Sequence, residues 1–196
     1  MNIHSTPPRT VPGPHRFTGD EVLMMMRAGL LLEGGKFELM DGEIIEMPSE
    51  GGAHVELKRA LNKHLIKALP DEIALVPDGT LRLDAHYWPD PDFYLYPAQL
   101  RAEDVRGIDV LLVVEISDTT LKYDLGRKAA AYKKHEVREY WVLDINKRET
   151  HVHLLGESNA WPKPPVSFDQ PLAPTLIGGL TLRIADLERP STAWKA

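Results

Sequence analysis

A carboxylate inside a run of apolar residues is the most informative feature of the sequence. Glu115 stands in LLVVEISDTT, residues 111–120, a segment otherwise typical of a buried β-strand. Because side chains alternate along a strand, Glu115 shares one face with Val113 and Ser117, and both faces of the strand are apolar enough for a central position. A buried charge is costly unless it is paired, hydrogen-bonded or bound to a cation. Glu115 therefore either turns to water at a frayed strand end or has a function there.

Two further residues are candidates to act with Glu115. Asp92 opens the apolar strand DFYLY directly after a proline. Lys128 shares one face of a predicted helix with Asp124 and Tyr132, which lie four residues away on either side. Each has an ordinary alternative, since Pro-Asp is common in turns and an Asp–Lys pair at this spacing is usually an exposed ion pair.

Together these three residues predict a metal site. If the two strands are antiparallel neighbours, Asp92 and Glu115 can meet, and adjacent carboxylates raise each other's pKa unless a cation relieves the repulsion. Mg²⁺ or Mn²⁺ takes oxygen ligands from one or two carboxylates, with water and substrate phosphate completing the shell. Such a metal polarises a phosphodiester, and a nearby Lys128 would orient water or stabilise phosphate charge.

Capping and turn residues indicate the first elements that must position these side chains. Thr18 can cap a helix that continues to about Leu31, and Asp41-Gly42 suits a two-residue hairpin turn within FELMDGEIIEM. A second helix is predicted from Gly51, because apolar residues recur three and four residues apart. These residues are Val55, Leu57, Leu61, Leu65, Ile66 and Leu69.

The rest of the chain is rich in strands. Apolar runs bounded by turn residues predict strands at 73–76, 80–84, 92–96 and 108–117, a helix at 121–136, and strands at EYWVLDIN and THVHLLG. The Pro-rich segment 161–174 is predicted to be a surface excursion, and LIGGLTLRIADLE to add a strand and a helical turn. Strands in a run, with helices that do not strictly alternate, favour a mixed α+β domain over a doubly wound sheet.

Composition bounds the class of protein. The 196 residues suggest one domain, predicted over 17–190, with a flexible arm at 1–16 and a tail at 191–196. The absence of cysteine excludes disulfides and thiolate metal sites and fits a reducing cytosol, so we expect a cytoplasmic protein. No window approaches the ~18 apolar residues of a membrane span. The net charge of −6 does not attract nucleic acid, so such binding would rely on a basic patch or on metal ions.

The order and spacing of six segments resemble the Uma-two endonuclease family, which has a restriction-endonuclease-like fold of the PD-(D/E)xK type. The segments are FELMDGEIIEM, the histidine of GGAHVELKRALNKHL, PDFYLY, VVEISDTT, DLGRKAAAYKKHEVREYWVLD and GGLTLRIADL. The resemblance implies a central mixed sheet flanked by helices and a Mg²⁺- or Mn²⁺-dependent endonuclease that acts on DNA. It also implies Asp92 and Glu115 as metal ligands, and by analogy with related nucleases a homodimer is possible.

The same resemblance implies roles for further residues. The active-site lysine is Lys128, supplied by the helix, whereas the ordinary nuclease slot two residues after the acid on the strand holds Ser117. Glu43 is the implied additional catalytic acid, although a glutamate after a tight turn is usually solvated. The implied accessory residues are His54, Asp124, Tyr132 and Ser117.

Two alternatives stay open from the sequence. The acidic net charge and the serine at position 117 also fit a non-catalytic, nuclease-like binding or regulatory module. His151 and His153 point to one strand face and could form a zinc pair, but the sequence shows no evident third ligand. Asp144 is predicted to be a turn residue.

Overall fold

A helix and a hairpin form the N-terminal part of the described structure. The computed structural model describes residues 13–31, 36–155 and 164–187, so most of the predicted arm and all of the predicted tail lie outside it. The first elements are α1 (Gly19–Arg27), β1 (Lys36–Met40) and β2 (Glu43–Met47). The hairpin turns at Asp41 and Gly42, with φ of 56° and 77°, as the residue types predict.

Helix α1 begins where predicted and ends early. Thr18 and Glu21 form a capping box, in which the Glu21 N–H donates to the Thr18 side chain and the Thr18 N–H donates to the Glu21 carboxylate. The expected continuation to about Leu31 is wrong, since α1 ends at Arg27. Gly29 has a φ of +68°, the left-handed conformation that commonly follows a helix end.

A mixed sheet occupies the centre of the described structure. In the described ranges it has six strands in chain order: β3 (Ile73–Pro77), β4 (Phe93–Pro97), β5 (Leu112–Ser117), β6 (Glu139–Asp144), β7 (Glu149–Leu154) and β8 (Val166–Ser167). Strands β5 and β6 are parallel, and the other neighbours are antiparallel. A parallel pair needs a crossover connection, and the helical segment between β5 and β6 provides it.

The helices cover the two faces of the sheet. They are α2 (Gly52–Ala68), α3 (Leu121–Tyr123), a π-helical turn (Asp124–Lys128), α4 (Ala129–Lys134) and a short α5 (Ile184–Leu187). Helix α2 packs on one face of β5, where Leu112, Val114 and Ile116 lie, and α4 lies over the opposite face. These two apolar layers bury all six residues of β5, so the mixed α+β class with flanking helices is confirmed. In the described ranges, none of the helices is both long and apolar enough to cross a membrane.

The buried face of α2 is narrower than its apolar residues predict. Leu57, Leu61 and Leu65 are buried against the sheet, whereas Val55 and Ile66 are 44% and 66% exposed. The buried leucines recur every four residues and leave their apolar neighbours on the solvent side. The recurrence thus marks the helix, but Val55 and Ile66 lie outside its buried face.

This face makes a direct prediction for two adjacent residues. Replacing Leu65 by alanine should lower the free energy of unfolding by about 2–5 kcal/mol, because it leaves a cavity against the sheet. Replacing Ile66 by alanine should change it by about 0.5 kcal/mol or less, as for most exposed positions. Urea unfolding of the two variants at constant m-value measures both effects. Equal losses would contradict the packing of α2.

Two predicted strands differ from the structure. The segment 80–84 forms no strand and makes only an isolated bridge between Asp84 and Tyr87. The predicted strand 108–117 begins only at Leu112, because Gly107–Asp109 forms a 3₁₀ turn. In both cases apolar residues without a strand partner pack as loops against the core, as Leu81 and Val110 show.

The Pro-rich segment is less peripheral than predicted. Residues 161–163 lie outside the described ranges, but Val166–Ser167 forms β8 and pairs with β7. Phe168 follows with 0% exposure in the core beneath α2. The described part of this segment therefore adds a short edge strand and a buried phenylalanine, while most of its residues are exposed, as expected for a surface excursion.

Candidate active site

Asp92 and Glu115 lie opposite each other on neighbouring antiparallel strands. Phe93 pairs with Val114, so the residue before β4 faces the next residue of β5. Asp92 Oδ2 also accepts a hydrogen bond of 2.7 Å from the Ile116 N–H. Both carboxylates are buried, at 6% and 4% exposure. The strand pairing on which the metal hypothesis depends is thus present.

Lys128 reaches the same place from the helical segment. Its Nζ lies 2.7 Å from Glu115 Oε1, 2.8 Å from Glu38 Oε1 and 4.0 Å from Asp124 Oδ1, and the lysine is 2% exposed. Burial alone would lower the pKa of Lys128, but the negative charges of these three carboxylates raise it well above its usual value. The amine therefore stays charged.

Glu115 is held from two sides. Tyr132 donates a hydrogen bond of 3.0 Å to Glu115 Oε1, the oxygen that also contacts Lys128. Burial raises the pKa of Glu115 well above its ordinary value, and the Lys128 charge opposes this rise only in part. Both contacts fall on Oε1, and Glu115 also lines the cavity described below.

The π-helical turn explains how a helix supplies this lysine. Asp124 begins the turn, and its carboxylate accepts hydrogen bonds from the hydroxyls of Ser117 and Thr120, the latter at 2.6 Å. Lys128 ends the turn, so this anchor on β5 sets its direction. Single π-turns inside helices are frequent at functional sites. Ser117 thus supports Lys128 indirectly, through Asp124, whereas Asp124 both anchors the turn and lies 4.0 Å from the lysine amine.

His54 and Lys58 on α2 hold Asp92. His54 Nε2 lies 3.0 Å from both Asp92 oxygens, and Lys58 Nζ lies 3.3 Å from Oδ1 and 2.6 Å from Glu50 Oε2. Burial by itself raises the pKa of Asp92, but His54, the Ile116 N–H and Lys58 together lower it. Glu50, His54 and Asp92 each offer a ligand atom within 4.8 Å of the others.

These groups line one cavity of about 240 Å³. Eight aspartates and glutamates and two lysines contribute to its wall. The acids are Glu38, Glu50, Asp78, Asp90, Asp92, Glu115, Asp118 and Asp124. Oxygen ligands at this density suit a hard cation such as Mg²⁺ or Mn²⁺. Without a cation, the same charges would repel a phosphodiester.

The acid that the hairpin brings to Lys128 is Glu38, which the sequence analysis did not single out, and not the implied Glu43. Glu43 has a side chain that is 66% exposed and pairs with Arg127 at 2.7 Å, away from the cavity wall. Glu38 is 2% exposed, contacts Lys128, and accepts hydrogen bonds from the Tyr123 hydroxyl at 3.0 Å and the Asp90 N–H at 3.1 Å. An available signal was the one used for Glu115: a carboxylate between apolar residues of a strand.

A basic face of the segment 122–138 lies outside the cavity wall. Its residues are Lys122, Arg127, Lys133, Lys134 and Arg138. Arg127 is held by Glu43 and by the Met40 carbonyl oxygen, and Lys134 stacks over the Tyr87 ring at 4.2 Å. In the described ranges, this basic face therefore does not border the carboxylates of the cavity.

The sheet order, the flanking helices and the acidic cavity characterise a nuclease-like domain of mixed α+β class. Residues 28–185 match the protein-family model Uma2, described as "Putative restriction endonuclease". The chain belongs to this family.

A solved structure shows the same fold. A crystal structure described as "a putative nuclease belonging to DUF820" from Anabaena variabilis ATCC 29413 has a TM-score of 0.61 and 18% identity, covering 87% of this chain and 97% of that one. The type IIG restriction endonuclease BpuSI aligns with a TM-score of 0.31 and 18% identity over 64% of this chain and 13% of its own. At that score BpuSI adds nothing to the fold or the site. Among functionally curated proteins, no significant match was found.

Proposed function

We propose that this protein is a divalent-metal-dependent endonuclease that hydrolyses phosphodiester bonds in DNA. The observation that carries the proposal is the opposition of Asp92 and Glu115 across two antiparallel strands, with the Lys128 amine 2.7 Å from Glu115. The family and the fold are those of nucleases, which supports this reaction class.

The carboxylates would hold the metal. Asp92 and Glu115 would bind Mg²⁺ or Mn²⁺, since both are buried acceptors on the wall of an acidic cavity. When bound, such a cation would polarise the scissile bond and make an attacking water more acidic. His54 would keep Asp92 oriented through its contacts of 3.0 Å with both oxygens.

The lysine would act on the phosphate. Lys128 keeps its positive charge at neutral pH and would stabilise the negative charge that develops on a phosphodiester during attack. Glu38 and Tyr132 are positioning residues, because they hold the lysine amine and the Glu115 carboxylate respectively. In this arrangement Glu115 lies on β5, Lys128 ends the π-helical turn, and Asp92 directly precedes β4.

A cleavage assay tests the proposal. Purified protein should cut supercoiled, linear or single-stranded DNA with Mg²⁺ or Mn²⁺, and chelation should stop it. The Asp92→Asn and Glu115→Gln variants should lose this activity, and calorimetry should show the loss of Mn²⁺ uptake at this site. Glu46→Gln is the matched control, because Glu46 is an exposed carboxylate on the nearby hairpin.

Two results would contradict the proposal. Cleavage by both carboxylate variants at the wild-type rate would place the activity elsewhere. The absence of cleavage with any DNA form and either metal would favour the alternative, a nuclease-like module that binds or regulates without catalysis.

A further inference from the structure

A second group of metal-ligating side chains lies at the hairpin between β6 and β7. Asp144 is the last residue of β6 and pairs in register with Glu149, the first residue of β7. His151 lies two residues further along β7, so its side chain shares a face with that of Glu149. The antiparallel register places Asp144 on this same face of the sheet.

The three side chains converge. Each offers one ligand atom, and these atoms all lie within 4.8 Å of one another. His151 Nε2 lies 3.5 Å from Glu149 Oε1. Ligand atoms around a tetrahedral zinc ion lie roughly 3.3–3.5 Å apart, given bonds of about 2.0–2.2 Å, so small side-chain rotations would close the site.

Two buried polar atoms point to a ligand here. Asp144 ends β6 and so differs from its prediction as a turn residue. Its Oδ1 accepts hydrogen bonds of 3.0 Å from the backbone N–H groups of Asn146 and Lys147 in the turn that follows. Asp144 Oδ2 and His151 Nε2 are buried without a hydrogen-bond partner in the described part of the chain, in residues that are 1% and 8% exposed. Buried polar groups without a partner are unfavourable, and a bound cation would satisfy both.

This group is separate from the candidate active site. Glu115 pairs with Val142 on β6, and Val142 pairs with His151 on β7, so two strand spacings of about 4.8 Å separate Glu115 from His151. Asp144 lies nearer to β5, where it pairs with Ser117. Asp144, Glu149 and His151 are not among the residues that line the acidic cavity.

We propose that Asp144, Glu149 and His151 form a zinc site that fastens β6 to β7. One imidazole nitrogen and two carboxylate oxygens suit borderline Zn²⁺, with a water as fourth ligand, whereas Mg²⁺ prefers an all-oxygen shell. Two carboxylates balance the charge of the ion. From the sequence, His151 and His153 had no evident third ligand for zinc. In the proposed site, Asp144 and Glu149 are the further ligands, and His151 is the histidine.

Zinc stoichiometry tests the site. After loading with Zn²⁺ and dialysis, elemental analysis should find one more zinc per chain in the wild type than in His151→Gln or Asp144→Asn. Zn²⁺ should raise the melting temperature of the wild type and not that of His151→Gln. Glu72→Gln, which removes an exposed carboxylate elsewhere, is the matched control and should keep the zinc.

Two further measurements keep the test independent of folding and of the proposed nuclease. Glu149→Gln changes a partly exposed side chain and should also lose the ion, even if the buried variants fold poorly. Co²⁺ should give the intense visible absorption of a four-coordinate site, and Asp92→Asn with Glu115→Gln should leave that spectrum unchanged. Equal zinc content in the wild type and His151→Gln, or only the weak spectrum of hydrated Co²⁺, would overturn the proposal and leave a simple His151–Glu149 ion pair.

Discussion

Replacing Lys128 by methionine should lower the free energy of unfolding by about 3–5 kcal/mol and remove DNA cleavage. Methionine fills much of the same space but leaves Glu38 and Glu115 buried without the amine that lies 2.8 and 2.7 Å from them. Removing one partner of a buried ion pair is costly because the remaining charge is uncompensated. Loss of the amine should also slow cleavage by about 10²–10³-fold, as for other preorganised charge-stabilising groups.

The stability loss should depend on pH. With the lysine gone, Glu115 relieves its burial by taking a proton, so its pKa in the folded variant lies above the ordinary value of 4.5. A carboxyl group whose pKa is higher in the folded state than in the unfolded state stabilises the fold fully below pH 4.5, the ordinary value. This contribution to the free energy of unfolding is lost as the pH rises through the pKa of the folded state. The deficit of Lys128→Met relative to the wild type should therefore be smallest near pH 4.5 and larger at pH 7 to 8. Denaturant unfolding across this pH range measures it.

Two variants separate structure from chemistry at this position. Lys122→Met removes an exposed lysine from the preceding turn and should leave both stability and cleavage near wild-type values. Adding Glu38→Gln and Glu115→Gln to Lys128→Met should restore much of the stability, because neither glutamate is then a buried charge without the amine, but should restore no cleavage. Unchanged stability of Lys128→Met alone would mean that the two glutamates do not depend on the amine.

Replacing Gly107 by alanine should destabilise the fold by about 3 kcal/mol or more. A Cβ at this position would lie 1.9 Å from the carbonyl oxygen of His135 and 2.8 Å from its carbonyl carbon. These are backbone atoms, so the clash is relieved only if the chain itself moves. Thermal and urea unfolding measure the loss.

The same contact couples the two halves of the candidate site. Gly107 opens the 3₁₀ turn that leads into β5, which carries Glu115, and His135 follows α4, which continues from Lys128. Gly107→Ala should therefore reduce cleavage as well as stability, because it separates the strand from the helix.

Gly126→Ala is the matched control for the glycine substitution. A Cβ at Gly126 would meet nothing within 4 Å, and this residue has no positive φ. Because alanine favours helical conformations over glycine by about 1 kcal/mol, this variant should be as stable as the wild type or more so. A similar loss in both glycine variants would contradict the close approach at Gly107.

The sequence by itself determined the features that depend only on residues close together in the chain. Thr18 with Glu21, and Asp41 with Gly42, set a helix start and a turn through local hydrogen bonds and allowed φ values. The apolar run around Glu115 identified a buried strand with a charge that needs a partner, because strand periodicity is a property of the segment alone.

Only the tertiary structure decided which distant groups meet. Strand register and helix packing decide three contacts that no short segment predicts. Glu38, and not Glu43, contacts Lys128, and His54 contacts Asp92. Asp144 and His151 come together across β6 and β7. Residues 80–84 show the same limit, since an apolar segment becomes a strand only when a partner edge is available. Local sequence sets the conformations that a segment can adopt, whereas contacts between segments depend on the packing of the whole chain, which no short pattern contains.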